Sequence, residues 1–322
     1  MKIVVTRVIP ERGLNMLREA FGEESISVAR QDGPIPRTEL LEVVPGADAL
    51  LPMLTERIDD ELLDAAGPQL KIVANHAVGY DNIDVAAAKR HGVIVTNTPG
   101  VLTETTADLA WTLLMAAARR IGESERFLRN GQWTCWGPMQ LLGVDIHGAT
   151  LGIFGMGRIG QAMARRASGF GMRILYTDSF RLSEEDERVL NAARADKDTL
   201  LRESDFITVH CPLTPETRHA FSTAEFAAMK PTAVFVNTSR GPVVDEAALA
   251  DALKTGEIFA AGIDVYEEEP KVHPALLKCE NAVLIPHLGS ASVETRSRMA
   301  AIAARNIVAC LSGEVPPNVV QA

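Results

Sequence analysis

The stretch Leu151-Gly152-Ile153-Phe154-Gly155-Met156-Gly157-Arg158-Ile159-Gly160 constrains the chain more than any other. A short β-rich run passes directly into glycines spaced G-x-G-x-x-G, and Gln161 to Phe170 continues with a helical pattern. Gly155 permits a tight turn, Gly157 lets an anion approach the backbone, and Gly160 lets helix and strand pack closely. The unpaired N–H groups and positive dipole end of a helix starting there favour a pyrophosphate. Glycines at this spacing also recur in ordinary turns, so the context carries the reading. Asp178 closes the next β-rich run, Ile174-Leu175-Tyr176. A carboxylate there accepts hydrogen bonds from ribose hydroxyls and repels a 2′-phosphate, which favours NAD over NADP. Nearby Arg181 keeps NADP open.

Around this motif the chain alternates β-rich and amphipathic segments. Before residue 100, strands are expected at Ile3-Val4-Val5, Ile26-Ser27-Val28, Ala49-Leu50-Leu51 and Ile72-Val73-Ala74. Thr38, Asp59 and Asp84 are expected at helix starts, and Gly92 just after a helix end. From Thr150 a second series follows, with strands at 151–154, 174–176, 206–209, 233–236, 260–263 and 283–285. A helix is expected over Asp245 to Lys254 and a last one over about Val293 to Leu311. Between the series lies an apolar helix, Thr103 to Ile121, expected to pack between domains or subunits. An irregular stretch, Arg129 to Val144, carries Trp133 and Trp136. Two such series predict an α/β protein of two doubly wound domains, in keeping with 322 residues.

Composition excludes several classes. With Lys+Arg 32 against Asp+Glu 42, the net charge is −10, which disfavours nucleic acid and anionic membrane surfaces as partners. No apolar run approaches the length of a membrane span, and the charged N-terminus does not read as a signal peptide. Cys135, Cys211, Cys279 and Cys310 form neither a CxxC nor a zinc-ligand spacing. Free thiols in the cytoplasm and no metal site are the expectation.

Three motifs near the C-terminus each follow an expected strand: Asn237-Thr238-Ser239-Arg240-Gly241-Pro242, Asp264-Val265-Tyr266-Glu267-Glu268-Glu269-Pro270 and Pro286-His287-Leu288-Gly289-Ser290. Singly they read as a surface ion pair, a solvated acidic loop and a packing histidine. Jointly they place Arg240, Glu269 and His287 at the carboxyl ends of consecutive strands, where open α/β sheets bind ligands. An acidic chain needs such a local cation to hold an anionic substrate.

Together with the glycine motif and Asp178, these motifs resemble the D-isomer-specific 2-hydroxyacid dehydrogenases. The likeness extends to Ala77-Val78-Gly79-Tyr80-Asp81-Asn82-Ile83-Asp84, Thr96-Asn97-Thr98-Pro99-Gly100 and Thr105-Thr106-Ala107-Asp108, and so covers nearly the whole chain. Within the family, Trp133 to Leu142 with Gly137-Pro138 is most similar to glyoxylate/hydroxypyruvate reductases. The resemblance implies reduction of a small 2-keto acid to the 2-hydroxy acid with NADH. It implies His287 as general acid/base, Glu269 as the partner favouring the charged imidazole, and Arg240 as the grip on the substrate carboxylate. Backbone N–H groups at Val78 and Gly79 complete the carboxylate cradle, while Leu51 and Trp136 bound the substrate. Thr106, Gly155, Gly157, Arg158, Ile159, Gly160, Asp178, Cys211, Thr238, Ser239, Asp264 and Gly289 match cofactor-lining positions, Asp264 towards the nicotinamide.

The resemblance further implies a Rossmann-type NAD domain, 100–287, inserted into a flavodoxin-like substrate domain formed by 1–99 and 288–322, and a homodimer. Cys211 and Tyr266 depart from the usual Thr or Val and the usual Phe; the first suggests thiol-sensitive NAD binding. The rival reading is an NAD-sensing corepressor-like scaffold, disfavoured by the absence of disordered tails or basic stretches. Phosphoglycerate and phosphite dehydrogenases are alternative family members. The stop at Ala322 counts against the phosphoglycerate enzyme, and Glu269 rather than Gln against a formate dehydrogenase.

Overall fold

The computed structural model describes residues 1–29 and 33–321, in which the chain forms two units: Met1–Leu102 with Ser290–Ala322, and Thr103–Gly289. The first unit opens with β1 (Ile3–Val5), α1 (Glu11–Phe21), β2 (Ile26–Val28), α2 (Arg37–Val43) and β3 (Ala49–Leu51). It continues with α3 (Asp60–Ala66), β4 (Ile72–Ala74), α4 (Val85–Arg90) and β5 (Ile94–Thr96). All strands pair in parallel, in the order β2-β1-β3-β4-β5. Strand alternation sorts the core into two layers. Ile3, Val5, Ala49, Leu51, Ile72 and Ala74 pack on one face, while Val4, Leu50, Val73 and Val95 pack on the other. Each fully buried Val, Leu or Ile contributes roughly 1.5–3 kcal/mol, so a one-residue slip in register would lose most of both layers.

Asp59 and Asp84 cap α3 and α4, accepting from the N–H groups of Leu62 and Ala87. Thr38 does not cap: the N-cap is Pro36, two residues earlier, so α2 begins at Arg37 and Thr38 lies within its first turn. β5 and α1 were not expected. β5 is a three-residue edge strand with the weak signature of any short apolar run.

The second unit begins with α5 (Thr103–Ala118) and α6 (Ile121–Arg129) and continues through β6 (Thr150–Phe154), α7 (Arg158–Ser168), β7 (Arg173–Thr177), α8 (Glu184–Leu190) and β8 (Ala192–Arg194). Then come α9 (Lys197–Glu203), β9 (Phe206–Val209), α10 (Thr223–Ala227), β10 (Val234–Asn237), α11 (Glu246–Thr255), β11 (Ala260–Ile263) and β12 (Ala282–Leu284). The sheet is again parallel, in the order β12-β11-β10-β9-β6-β7-β8. The order reverses beside β6, and a doubly wound sheet binds its ligand at such a switch point.

The apolar helix expected over Thr103 to Ile121 ends at Ala118. The N–H of Val144 takes the Ala118 carbonyl at 3.0 Å, and Arg120 turns to φ 51 before α6 starts. The buried face of α5, with Ala110, Trp111, Leu113 and Leu114, lies against β10, β11 and α7 of its own unit. Its apolar character is explained by that sheet. The last helix, α12 (Val293–Leu311), is capped by Ser292 and belongs to the first unit, where a stripe of alanines packs on α1. Among the described residues no helix is long and apolar enough to cross a membrane.

Candidate active site

In the second unit the candidate polar groups gather at or just beyond the carboxyl ends of the strands. After β6, Gly155 takes φ 98, and a Cβ there would stand 2.5 Å from the Cys211 nitrogen. A Cβ on Gly160 would stand 2.2 Å from the Gly155 carbonyl oxygen, so helix and turn meet at a distance only glycine allows. At Gly157 a Cβ would meet nothing within 4 Å. That glycine is not needed for internal packing, and the open side of its backbone suits a phosphate. No side chain caps α7, whose first residues are Arg158 and Ile159, so its leading N–H groups are available for an anion. The turn therefore fits a dinucleotide pyrophosphate on its own geometry.

Asp178, half-buried after β7, accepts the Met156 N–H at 2.6 Å through Oδ2 and the Phe180 N–H at 3.3 Å through Oδ1. It ties the glycine turn to the next strand and keeps a negative charge at the rim of a 460 Å³ hollow lined by Thr177, Asp178, Arg181 and Arg194. Arg181 is engaged by both oxygens of Glu187, at 3.0 and 2.9 Å, and the Tyr176 hydroxyl donates to the same carboxylate at 2.6 Å. Arg181 and Tyr176 hold Glu187 down to about 2.

Two of the expected catalytic residues are in direct contact. Glu269 Oε2 lies 2.8 Å from His287 Nδ1, and Glu269 Oε1 accepts the Tyr266 N–H at 3.1 Å. Burial pushes the Glu269 carboxyl up, but the hydrogen bond and charge of His287, the Tyr266 N–H and the charge of Arg240 outweigh it. The group is held below the ordinary carboxylate range. His287 itself sits at φ 50, a conformation uncommon outside glycine and asparagine. Asp264 maintains that turn. Its backbone carbonyl accepts the His287 N–H at 2.8 Å, and its fully buried carboxylate accepts the N–H groups of Leu288 (2.5 Å) and Gly289 (2.9 Å). Burial raises the Asp264 carboxyl against those N–H groups.

Arg240 follows β10. Its carbonyl accepts from Asn237 Nδ2 at 3.0 Å, and Ser239 donates its N–H and hydroxyl to Asn237 Oδ1. Gly241 follows because a Cβ there would fall 1.8 Å from the Tyr266 carbonyl carbon, where the Glu269 loop passes. Thr106 donates to the Gly289 carbonyl at 3.1 Å, and Thr238 lies 3.5 Å from half-buried His210. Burial pushes the Cys211 thiol up to about 12, so it stays protonated and poorly reactive, contrary to the expected thiol sensitivity.

Two supports of this loop carry little sequence signal. Glu246, buried at the start of α11, accepts the N–H groups of Glu267 (2.5 Å) and His273 (2.8 Å), on either side of Glu269. In sequence Asp245-Glu246 reads only as a helix start. The Tyr266 hydroxyl, noted as a departure, donates to the Ile285 carbonyl at 3.0 Å, two residues before His287. Of the remaining expected residues, Trp136 is 79% exposed, and Leu51 is fully buried in the core of the first unit. Val78 and Gly79 lie after β4 of that unit, partly exposed.

Residues 111–289 match the family model described as D-isomer specific 2-hydroxyacid dehydrogenase, NAD binding domain. Over its whole length the chain is similar to a glyoxylate reductase of Korarchaeum cryptofilum, 54% identical with 99% of this chain and 95% of the relative covered. A solved protein of Thermus thermophilus superposes with a TM-score of 0.92 at 44% identity, covering 100% of both chains. The NADPH-dependent glyoxylate/hydroxypyruvate reductase of Sinorhizobium meliloti, solved with NADP and malonate, superposes with a TM-score of 0.86. It is 35% identical, with 99% of this chain and 96% of that chain covered.

Proposed function

Because this chain belongs to the D-isomer-specific 2-hydroxyacid dehydrogenase family, and is thereby a nicotinamide-dependent oxidoreductase, we propose that it reduces glyoxylate and hydroxypyruvate to their 2-hydroxy acids with NADH. One observation carries the reading: the 2.8 Å contact between Glu269 and His287 Nδ1, at the same end of the sheet as the glycine turn. With Nδ1 engaged by a carboxylate, the imidazolium keeps its Nε2 proton for the substrate.

The hydride comes from the nicotinamide when NADH is bound. His287 gives its Nε2 proton to the C2 oxygen, and Glu269 stabilises the imidazolium before that transfer. Arg240 holds the substrate carboxylate and polarises the carbonyl, as a planar guanidinium with two parallel donors can. The N–H groups of Val78 and Gly79 serve the same carboxylate, with Trp136 near the substrate; Leu51, fully buried in the core of the first unit, presents no surface to it. The residues of the glycine turn with Arg158, Ile159, Thr106, Asp178, Cys211, Thr238, Ser239, Asp264 and Gly289 line the cofactor.

Asp178 favours NADH over NADPH, and the engagement of Arg181 by Glu187 supports that preference. The test is oxidation of NADH and of NADPH with each acid, by wild type and His287→Ala. Undiminished turnover in the variant would remove His287 from the reaction, and a strong preference for NADPH would reverse the reading of Asp178. An NAD-sensing scaffold would bind NADH tightly and turn over none of the acids.

We assign a second copy of the chain to the exposed apolar side chains of α6 and the following loop: Ile121, Leu128, Trp133, Trp136, Met139 and Leu142, each at least half exposed. Sedimentation equilibrium of wild type and Trp136→Asp tests the homodimer. Free cysteines suit a cytoplasmic enzyme.

A further inference from the structure

The loop after β4 presents backbone N–H groups that none of the described residues accepts from. Among the described residues, no protein acceptor takes the N–H of Val78, Gly79 or Tyr80. The carbonyls of the same peptides are all held. Ala77 O accepts from Thr98 N at 2.9 Å, Val78 O from Asn97 Nδ2 at 2.8 Å, and Gly79 O from Asn75 Nδ2 at 2.9 Å. In a planar trans peptide the C=O and the following N–H point in opposite directions. Each anchored carbonyl therefore turns one N–H away from its anchor: Thr98 sets Val78, Asn97 sets Gly79, and Asn75 sets Tyr80.

The amide orientations follow from fixed acceptors further along. The carbonyls of Met53 and Glu56 can only accept, so the Asn82 group facing them at 3.2 and 3.0 Å is Nδ2. Asn82 Oδ1 then faces Asn75 at 3.2 Å, which makes the group of Asn75 shared by Asn82 and Gly79 its Nδ2. Glu56, 3% exposed, is itself locked by Thr6 (2.7 Å), Thr55 (2.6 Å) and the Met53 N–H (2.6 Å). Asn97 is held from the other side, its N–H on Asn318 O at 3.3 Å and its carbonyl accepting from Asn306 Nδ2 at 3.4 Å. The loop's carbonyls are anchored by neutral groups, two side-chain amides and one backbone N–H.

We propose that Asn75 and Asn97 are positioning residues for a three-donor carboxylate site, in which the Tyr80 N–H joins those of Val78 and Gly79. The site suits a carboxylate because backbone N–H groups bind anions without a buried counter-charge to desolvate. The inference rests on the keto-acid reading above and adds to it the parts that aim the donors.

The test uses the whole enzyme with glyoxylate as substrate and oxalate as a non-reacting carboxylate probe. Asn97→Ala releases the Gly79 peptide, and Asn97→Asp sets an acceptor against the Val78 carbonyl. KM for glyoxylate and Ki for oxalate should each rise about tenfold in Asn97→Ala and further in Asn97→Asp, as expected for a weakened hydrogen bond to a charged group. The change in kcat should be smaller than the change in KM, and the Kd of NADH, read from protein fluorescence, should not move. Asn75→Ser should act in the same sense; if that buried substitution prevents folding, the Asn97 pair decides. Wild-type KM and Ki in both Asn97 variants would overturn the proposal while leaving the keto-acid reading intact. A wild type that neither reduces glyoxylate nor binds oxalate would overturn both.

Discussion

The two units are built alike and equipped differently. Each is a parallel sheet covered by helices on both faces, with its polar groups gathered beyond the carboxyl ends of the strands. In the second unit those groups are ionisable side chains: Asp178, Arg240, Asp264, Glu269 and His287. In the first they are backbone N–H groups of Val78 to Tyr80, turned outward by Asn75, Asn97 and Thr98. Under the proposed function, proton transfer belongs to the second unit, while the first adds fixed donors to the carboxylate grip of Arg240. Proton transfer needs a group that changes charge, whereas holding a carboxylate needs only fixed donors.

The largest effect should come from the charged unit. His287→Ala should lower kcat about 10³-fold in steady-state assays, the middle of the range for a general acid, while leaving the NADH Kd near wild type. A loss under tenfold would break the contrast, since donors and cations alone would then suffice.

Glu269→Gln should cost less, about 10- to 100-fold in kcat/KM, because Gln keeps a hydrogen bond and loses the charge. Against its burial, the wild-type Glu269 carboxyl is held below the ordinary range by His287, the Tyr266 N–H and Arg240, so it stays ionised further into acid than a free glutamate. Its contribution to stability is complete above its unfolded pKa and is lost only as the pH drops through the lower folded value. A pH–rate profile of wild type should therefore place any acid limb from Glu269 at lower pH than an ordinary carboxylate would give.

A smaller and different effect tests what the units share. Each holds a half-buried histidine neutral: desolvation lowers His210 to about 3, and desolvation with the charge of Arg296 lowers His76 to about 4. Both titrate near 6.5 once unfolded, so the unfolded state binds more protons as the pH falls below that value, and stability declines. His210 alone should cost on the order of 2 kcal/mol at pH 4.5 relative to pH 7. Urea unfolding of His210→Asn at the two pH values should show a smaller acid loss than wild type. An equal loss would mean that His210 is not the proton acceptor.

How much of this was legible varied with the kind of interaction. Ile3–Val5, Ile26–Val28, Ala49–Leu51, Ile72–Ala74 and Val293–Leu311 coincide with their expected segments, because β-rich runs and a Ser-capped amphipathic stretch are local signals. The edge strands β5 and β8 were missed because each has only three residues, the last of them Thr96 and Arg194, too few to show a period. The break after Ala118 was missed because Arg120 is no obvious left-handed residue; a contact from Val144, far along the chain, ends the helix. At the site, charged residues in fixed motifs were recognisable. Glu246, Asn75 and Asn97 were not, since their importance lies in which backbone groups they meet.

By itself the sequence determined the alternation of strands and helices, the glycine turn with its acid, and the identities of Arg240, Glu269 and His287. These are written in nearest-neighbour chemistry: backbone propensity, residue period and charge. Tertiary structure alone decided that Glu269 meets His287, that Asp264 is spent on holding the His287 turn, and that Asn75 and Asn97 aim the peptides of Val78 to Tyr80. Hydrogen bonds between residues distant in the chain depend on angstrom-scale approach, and only the packed sheets bring those partners within reach.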